Sequence, residues 1–378
     1  MSTIWSFPTR VIFGAGQAAR VGDEARLAGI GRALLVTDPA VLELGLSSTV
    51  QKALSLAGIE FAVFSGVTPN PTEVDVEAGA EAFAAHRADG IVAVGGGSPV
   101  DCAKLIAVRA KTSRPWEELD DGIDGGVHIP RDVPPVVALP TTSGTGSEVG
   151  RSGVLTVKST GRKTVIFAPQ LLPKCAILDP ELTRGLPPAI TAATGFDALT
   201  HCIEAYLAIG DHPMADAIAL AGVDLVTKHL EAAVANGNDL EARGGMMKAA
   251  MMGAVAFQKG LGACHSLAHP LSSELGMHHG LANALCLPAV LRFNEQAAFE
   301  RVLHLSLLMG GEAEEGGAAQ AVRALGARLG LPKGLGAEGV KADVLERLAD
   351  KAFEDACHRS SPRPCSRADL LALYRASL

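Results

Sequence analysis

Two pairs of potential metal ligands are set at helical spacing in this chain. Asp197 and His201 stand four apart in TGFDALTHCIE, and His265 and His269 repeat the interval in CHSLAHP. On a helix, residues i and i+4 lie one above the other on the same face, so each pair presents two donor side chains in one direction. His278-His279-Gly280 follows closely, which puts four of the eleven histidines in positions 265–279. One carboxylate with several imidazoles is a ligand set for Fe(II), Zn(II) or a related divalent ion. A lone Asp/His pair at this interval is more often a surface hydrogen bond. The coincidence of two pairs with His-His-Gly points to a shared metal site, and spacing alone does not choose among the histidines.

Three glycine-rich places compete as phosphate cradles. Gly95-Gly96-Gly97-Ser98-Pro99-Val100-Asp101 follows the apolar run IVAV and precedes a helix-like stretch. Backbone without side chains lets a pyrophosphate approach, and the helix N-terminus supplies N–H donors and a positive dipole. Thr141-Thr142-Ser143-Gly144-Thr145-Gly146-Ser147-Glu148 follows a second apolar run. Its hydroxyls and glycines suit a ribose, a phosphate or an amide, and it reads as the second wall of one dinucleotide cleft at the carboxyl ends of parallel strands. The third place, Gly14-Ala15-Gly16-Gln17-Ala18-Ala19, matches G-x-G-x-x-A but precedes any convincing βαβ unit, so a turn is the simpler reading. Asp38 ends a strand-like run, where a carboxylate can take the adenosine ribose hydroxyls and repel a 2′-phosphate, favouring NAD over NADP. Asp at that place also caps a following helix, and the sequence leaves both roles open.

The elements that must position these groups change character along the chain. Strand-like runs at 32–38, 60–66, 90–98 and 134–142 alternate with helix-like stretches at 41–57 and 74–88. Near-continuous apolar strands alternating with helices imply a parallel sheet covered on both faces. After Pro187-Pro188, Ala, Leu and Met dominate, with helical spacing over 189–208, 213–235, 241–260, 296–310 and 317–329. The expectation is an α/β domain over 1–185 and an all-α domain over 186–378. Aromatics are only 4% of the 378 residues, so the cores must be built from aliphatic side chains. The net charge of −8 argues against a general nucleic-acid binder. No run approaches a membrane span, and no signal peptide is evident. An odd count of seven cysteines without CxxC suits a reducing cytoplasm.

Taken in order, the motifs resemble those of the iron-containing (group III) alcohol dehydrogenases. The resemblance covers nearly the whole chain: FGAG at 13–16, VTD at 36–38, VTPNPT at 67–72, GGGSPVD at 95–101, LPTTSGTGSEV at 139–149, ATGFDALTHCIEAY at 193–206, HSLAHPLSSELGMHHGLANALCLP at 265–288 and the closing PRPCSRADLLALY. It implies a dinucleotide-binding α/β domain followed by a helical metal-binding domain, the dehydroquinate synthase-like fold. It implies Asp197, His201, His265 and His279 as ligands of Fe(II), with Zn(II) as the alternative ion. His269 would lie beside substrate and nicotinamide without ligating. Cofactor contacts would come from Asp38, Asn70, Gly96, Gly97, Ser98, Asp101, Thr141, Thr142, Lys163 and Leu182. Two places depart from the family pattern. His278 stands where a non-ligating residue such as Pro is common, and is either a substitute ligand or a neighbour of the ligands. Gly150-Arg151-Ser152-Gly153 replaces bulkier residues, which would widen the cleft or admit a polar substrate.

The implied reaction is hydride transfer between NAD(H) and a small alcohol/aldehyde pair, with metal as Lewis acid and His269 as proton relay. Candidate substrates are short primary alcohols, diols, lactaldehyde-type compounds, and hydroxyacids or their semialdehydes. A homodimer or larger homo-oligomer is expected, with no nucleic-acid or membrane partner. A dehydroquinate-synthase-like lyase would need a basic pocket, and no Lys/Arg cluster surrounds the metal motifs. A metallohydrolase would leave both glycine loops unexplained. A non-catalytic descendant sits poorly with the intact ligand set.

Overall fold

The computed structural model describes Phe7 and residues 10–158 and 161–378. The chain forms two compact units, one of residues 7–142 with 146–186, the other of 187–378 with 143–145.

The first unit is built on a six-stranded sheet. Its strands are β1 (Arg10–Phe13), β2 (Arg32–Val36), β3 (Glu60–Phe64), β4 (Gly90–Gly95), β5 (Val136–Pro140) and β8 (Cys175–Leu178), in the order β1-β8-β5-β4-β2-β3. Every pairing in it is parallel. A separate antiparallel hairpin joins β6 (Ser152–Val157) to β7 (Arg162–Phe167). Successive side chains on a strand point to opposite faces, and here both faces are buried. Leu34, Val36, Ile91, Ala93, Val136 and Ala138 join a core with α4 (Glu73–His86) and α5 (Gly97–Arg109). Their neighbours Ala33, Leu35, Val92, Val94, Val137 and Leu139 join the opposite core with α1 (Val21–Leu27) and α3 (Ser48–Leu56). Double burial is why β2, β4 and β5 read as continuous apolar runs.

The four strands read from sequence are β2 to β5. The helix expected over 41–57 is two, α2 (Pro39–Glu43) and α3, interrupted where Gly45 turns to φ 69°. The strands β1 and β8 have four residues each, too few to establish a period.

In the second unit, α6 (Pro188–Leu207), α7 (Pro213–Ala235) and α8 (Leu240–Ala256) pack on one another, followed by α9 (Ala263–Leu275), α10 (His279–Glu295), α11 (Phe299–Leu308), α12 (Gly317–Arg328), α13 (Leu345–Glu354) and α14 (Arg367–Ala376). Every residue of α6 from Thr191 to Leu207 is buried. A helix covered all round places its polar side chains inside the unit, where each needs a partner or a ligand.

Candidate metal centre and cofactor loops

Asp197 and His201 project from the buried helix α6, His265 and His269 from α9, and His279 opens α10. The Nε2 atoms of His201, His265 and His279 lie 3.9, 3.9 and 3.5 Å from one atom, Oδ1 of Asp197. Donor atoms of Asp197, His265 and His279 all lie within 4.8 Å of one another. The His201 ring stacks on His265 with centroids 4.7 Å apart. Such gaps exceed a good hydrogen bond. They suit donors around one ion: ligand atoms ~2.1 Å from a tetrahedral centre are roughly 3.4 Å apart. Burial pushes the His201 imidazole down to about 4, against the pull of Asp197. It is therefore neutral near pH 7 and offers a lone pair. The residues present fit a divalent cation.

A surrounding layer of partners orients these donors. Glu204 Oε2 lies 2.6 Å from His265 Nδ1, and the same carboxylate accepts from the N–H groups of Gly262 and Cys264 at 3.0 and 2.7 Å. Glu204 thus caps the start of α9 and turns His265 Nε2 toward Asp197. Burial works to lower the His265 pKa, but the hydrogen bond and charge of Glu204 raise it overall. Asn283 donates to Asp197 Oδ1 at 2.9 Å. His269 Nδ1 meets Asp355 Oδ2 at 2.7 Å, while Asp355 Oδ1 accepts from Ser266 Oγ and the Cys357 N–H at 2.7 and 2.8 Å. Burial opposes ionisation of Asp355, yet the charge and hydrogen bond of His269 hold it well below the usual carboxylate range. His278 is exposed and is not among the three donors that cluster at Asp197 Oδ1.

Glu204, Asn283 and Asp355 were not singled out from sequence. The spacing argument would have found two of them, since Glu204 is three residues after His201 and Asn283 four after His279. Asp355 has no local signal, because it reaches His269 across 86 positions of chain.

In the first unit, eight of the ten expected cofactor residues follow strands at one edge of the sheet. Asp38 follows β2, Asn70 follows β3, Gly96-Gly97-Ser98 follow β4, Thr141-Thr142 follow β5, and Leu182 lies in the turn after β8. All are carboxyl ends of parallel strands. The order β5-β4-β2-β3 places the topological switch point between β2 and β4, where such sheets bind ligands. The loops after β4 and β5 meet, with Thr141 N–H donating to Gly95 O at 3.0 Å. Gly96, at the N-cap of α5, supplies no side chain to the first turn, so the donors there face outward uncapped. Asp38 does cap α2: its Oδ1 accepts from Val41 N–H at 2.9 Å. A carboxylate has a second oxygen, so this leaves the ribose role compatible. Asn70 adopts φ 54°, a left-handed conformation that Asn tolerates. Lys163 lies on β7, outside this edge, and Asp101 faces protein donors on Ser147 and Val154.

The Gly14–Gly16 turn differs. Asp179 already fills it, accepting from the N–H groups of Gly16 and Ala18 at 3.1 and 2.8 Å. The Gly150–Gly153 departure also has a packing cause. A Cβ on Gly153 would lie 2.9 Å from Leu105 Cγ, so glycine lets β6 close onto α5.

Comparison with known proteins gives the following matches. Residues 8–180 match the family model described as iron-containing alcohol dehydrogenase, and residues 191–378 match that of the Fe-containing alcohol dehydrogenase family, C-terminal. The chain is 41% identical to 4-hydroxybutyrate dehydrogenase of Cupriavidus necator, covering 98% of each chain. It is 36% identical to NAD-dependent methanol dehydrogenase of Bacillus methanolicus over 100% of both. A crystal structure of 1,3-propanediol oxidoreductase superposes with a TM-score of 0.96 at 36% identity, covering 100% of both chains.

Proposed function

The chain belongs to the iron-containing alcohol dehydrogenase family, and from that premise we propose that it transfers hydride between NAD(H) and a small primary alcohol/aldehyde pair in a metal-dependent reaction. The observation that carries this reading is the convergence of three imidazole Nε2 atoms on Asp197 Oδ1. Asp197, His201, His265 and His279 would hold a divalent cation, Fe(II) first and Zn(II) second, which would supply Lewis acidity toward an alcohol or aldehyde oxygen. NAD supplies the hydride acceptor.

The chain's own residues orient and move protons. Glu204 and Asn283 hold the ligand side chains in place. The N–H groups at the start of α5 would hold the pyrophosphate, Asp38 would take the ribose hydroxyls, and Thr141 and Thr142 would fix the dinucleotide from the next loop. With Asp355 accepting a hydrogen bond from His269 Nδ1–H, the imidazole keeps its Nε2 lone pair for the substrate side. His269 then removes the proton released from the alcohol. An unchanged rate and pH profile in His269→Ala would remove it from the mechanism.

The relatives' names set the substrate panel: methanol, 1,3-propanediol and 4-hydroxybutyrate. The test is anaerobic NADH formation by metal-free protein given Fe(II), Zn(II) or nothing. Metal-restored turnover on a panel member supports the reading. NAD binding with no turnover under any metal would point to another reaction on the same fold. A homodimer or larger assembly, to be read by sedimentation, and a cytoplasmic setting complete the proposal. All seven cysteines are free, and among the described residues no helix is long and apolar enough to cross a membrane.

A further inference from the structure

Lys104 lies on α5 with its side chain wholly buried, two turns beyond the Gly95–Ser98 loop. Its Nζ donates to Ser147 Oγ at 2.8 Å and to the Ser152 carbonyl at 2.7 Å. Ser147 follows the TTSGTG loop, and Ser152 begins β6. The Ser147 hydroxyl donates in turn to Asp101 Oδ1, whose Oδ2 accepts from Val154 N–H at 3.3 Å. Asp101 Oδ1 stands 3.8 Å from Nζ, close enough to balance its charge. Beside this network, a Cβ on Gly153 would lie 2.9 Å from Leu105 Cγ and 3.3 Å from Asp101 O, so glycine there lets β6 close onto α5.

A buried ammonium is costly unless it is hydrogen-bonded and paired. Here its two hydrogen bonds run from the helix that follows one glycine loop to the segment that follows the other. The reaction proposed above gives Lys104 no role.

We propose that Lys104, acting through Ser147 with Asp101 as counter-charge, is a positioning residue that fixes the loop after β5 against α5 and so preorganises both loops for the dinucleotide. The inference rests on the NAD reading above. Without the pin, binding must order the loop, and cofactor affinity falls. Metal binding, made by side chains of the other unit, does not.

The test is NADH affinity by fluorescence titration in Lys104→Met, Lys104→Arg, Ser147→Ala and the Lys104→Met/Ser147→Ala double variant, alongside metal content and steady-state kinetics. Lys104→Met raises the NADH Kd and the KM for NAD by about tenfold or more, the effect of losing one charge-assisted hydrogen bond. The kcat at saturating NAD stays within about twofold, because the transition-state groups are untouched. Lys104→Arg restores part of the affinity. The double variant is no worse than Lys104→Met, since both remove the same link. Should Lys104→Met fail to fold, Ser147→Ala carries the same prediction with a smaller rise in Kd. Unchanged NADH affinity in folded Lys104→Met or in Ser147→Ala, or fully additive losses in the double variant, overturns the inference while leaving the NAD reading intact. Failure of the wild-type protein to bind NADH overturns both.

Discussion

The metal centre and the cofactor loops are made of different material. The first is a set of side chains, three imidazoles whose Nε2 atoms gather around one carboxylate oxygen, with Glu204 aiming His265 and Asn283 holding Asp197. The second is mostly backbone: uncapped N–H groups at the start of α5 and a neighbouring loop bonded to it at Gly95. A side-chain site depends on which atoms are present. A backbone site depends on what is absent, namely side chains that would fill the space and acceptors that would use the donors. The two glycine turns of the first unit make the second point. Gly14–Gly16 resembles a dinucleotide fingerprint, but Asp179 occupies its N–H groups. The Gly95–Ser98 loop has no such internal anion at its N-cap.

The strongest way to break this comparison is Asp197→Ala. Loss of the hub carboxylate should abolish stoichiometric metal binding and remove Lewis-acid assistance worth several kcal/mol, lowering kcat/KM by on the order of 10³. NADH affinity should stay near wild type, because no cofactor loop contains this residue. An equal loss of NADH affinity would show the two sites to be one. Next in size is Glu204→Gln, which keeps the volume but removes the charge that aims His265. Competition against a chelator should show metal affinity lower by about 10–100-fold, with NADH affinity again unmoved.

The difference in material also decides what the sequence revealed. Asp197, His201, His265 and His279 were legible because helical spacing turns a line of residues into one face. The same rule carried over by one step reaches Glu204 and Asn283. Asp355 was not legible, since its contact with His269 depends on where the C-terminal segment packs. The strands β2 to β5 were legible because both faces are buried, whereas β1 and β8 take their identity from the strands beside them. The GxGxxA match illustrates the limit. Nothing in its own residues reports that Asp179, 163 positions after Gly16, fills it. The departure at Gly150–Gly153 reads in the sequence as widening the cleft or admitting a polar substrate, and the sequence does not report that Gly153 also packs against Leu105.

A sharper probe of the backbone site is Gly95→Ala. Gly95 sits at φ +155°, and a Cβ there would lie 2.5 Å from the Pro99 ring. Strain of this kind costs about 1–3 kcal/mol. If it falls on the bound loop, the NADH Kd rises about tenfold, while metal content measured on the same sample stays at the wild-type value. A loss of metal with unchanged NADH affinity would reverse the assignment of the two sites.

The smallest expected effect concerns Glu148, buried behind the second loop. Burial pushes its carboxyl up to about 7 from an ordinary 4.5, outweighing its backbone hydrogen bond and the attraction of Lys104. The folded protein therefore holds the proton more tightly than the unfolded chain does. The stability this adds is complete below pH 4.5 and is lost as pH rises through about 7. Burial also lowers the Lys104 ammonium, to about 8, against the attraction of Asp101 and Glu148. Glu148→Gln has no charge to bury, so its melting temperature should match the wild type near pH 4.5 and exceed it at pH 7.5 by roughly 2–4 °C. A difference that stays flat across the range would mean that Lys104 holds Glu148 ionised throughout, making the buried ammonium the anchor of two carboxylates at once.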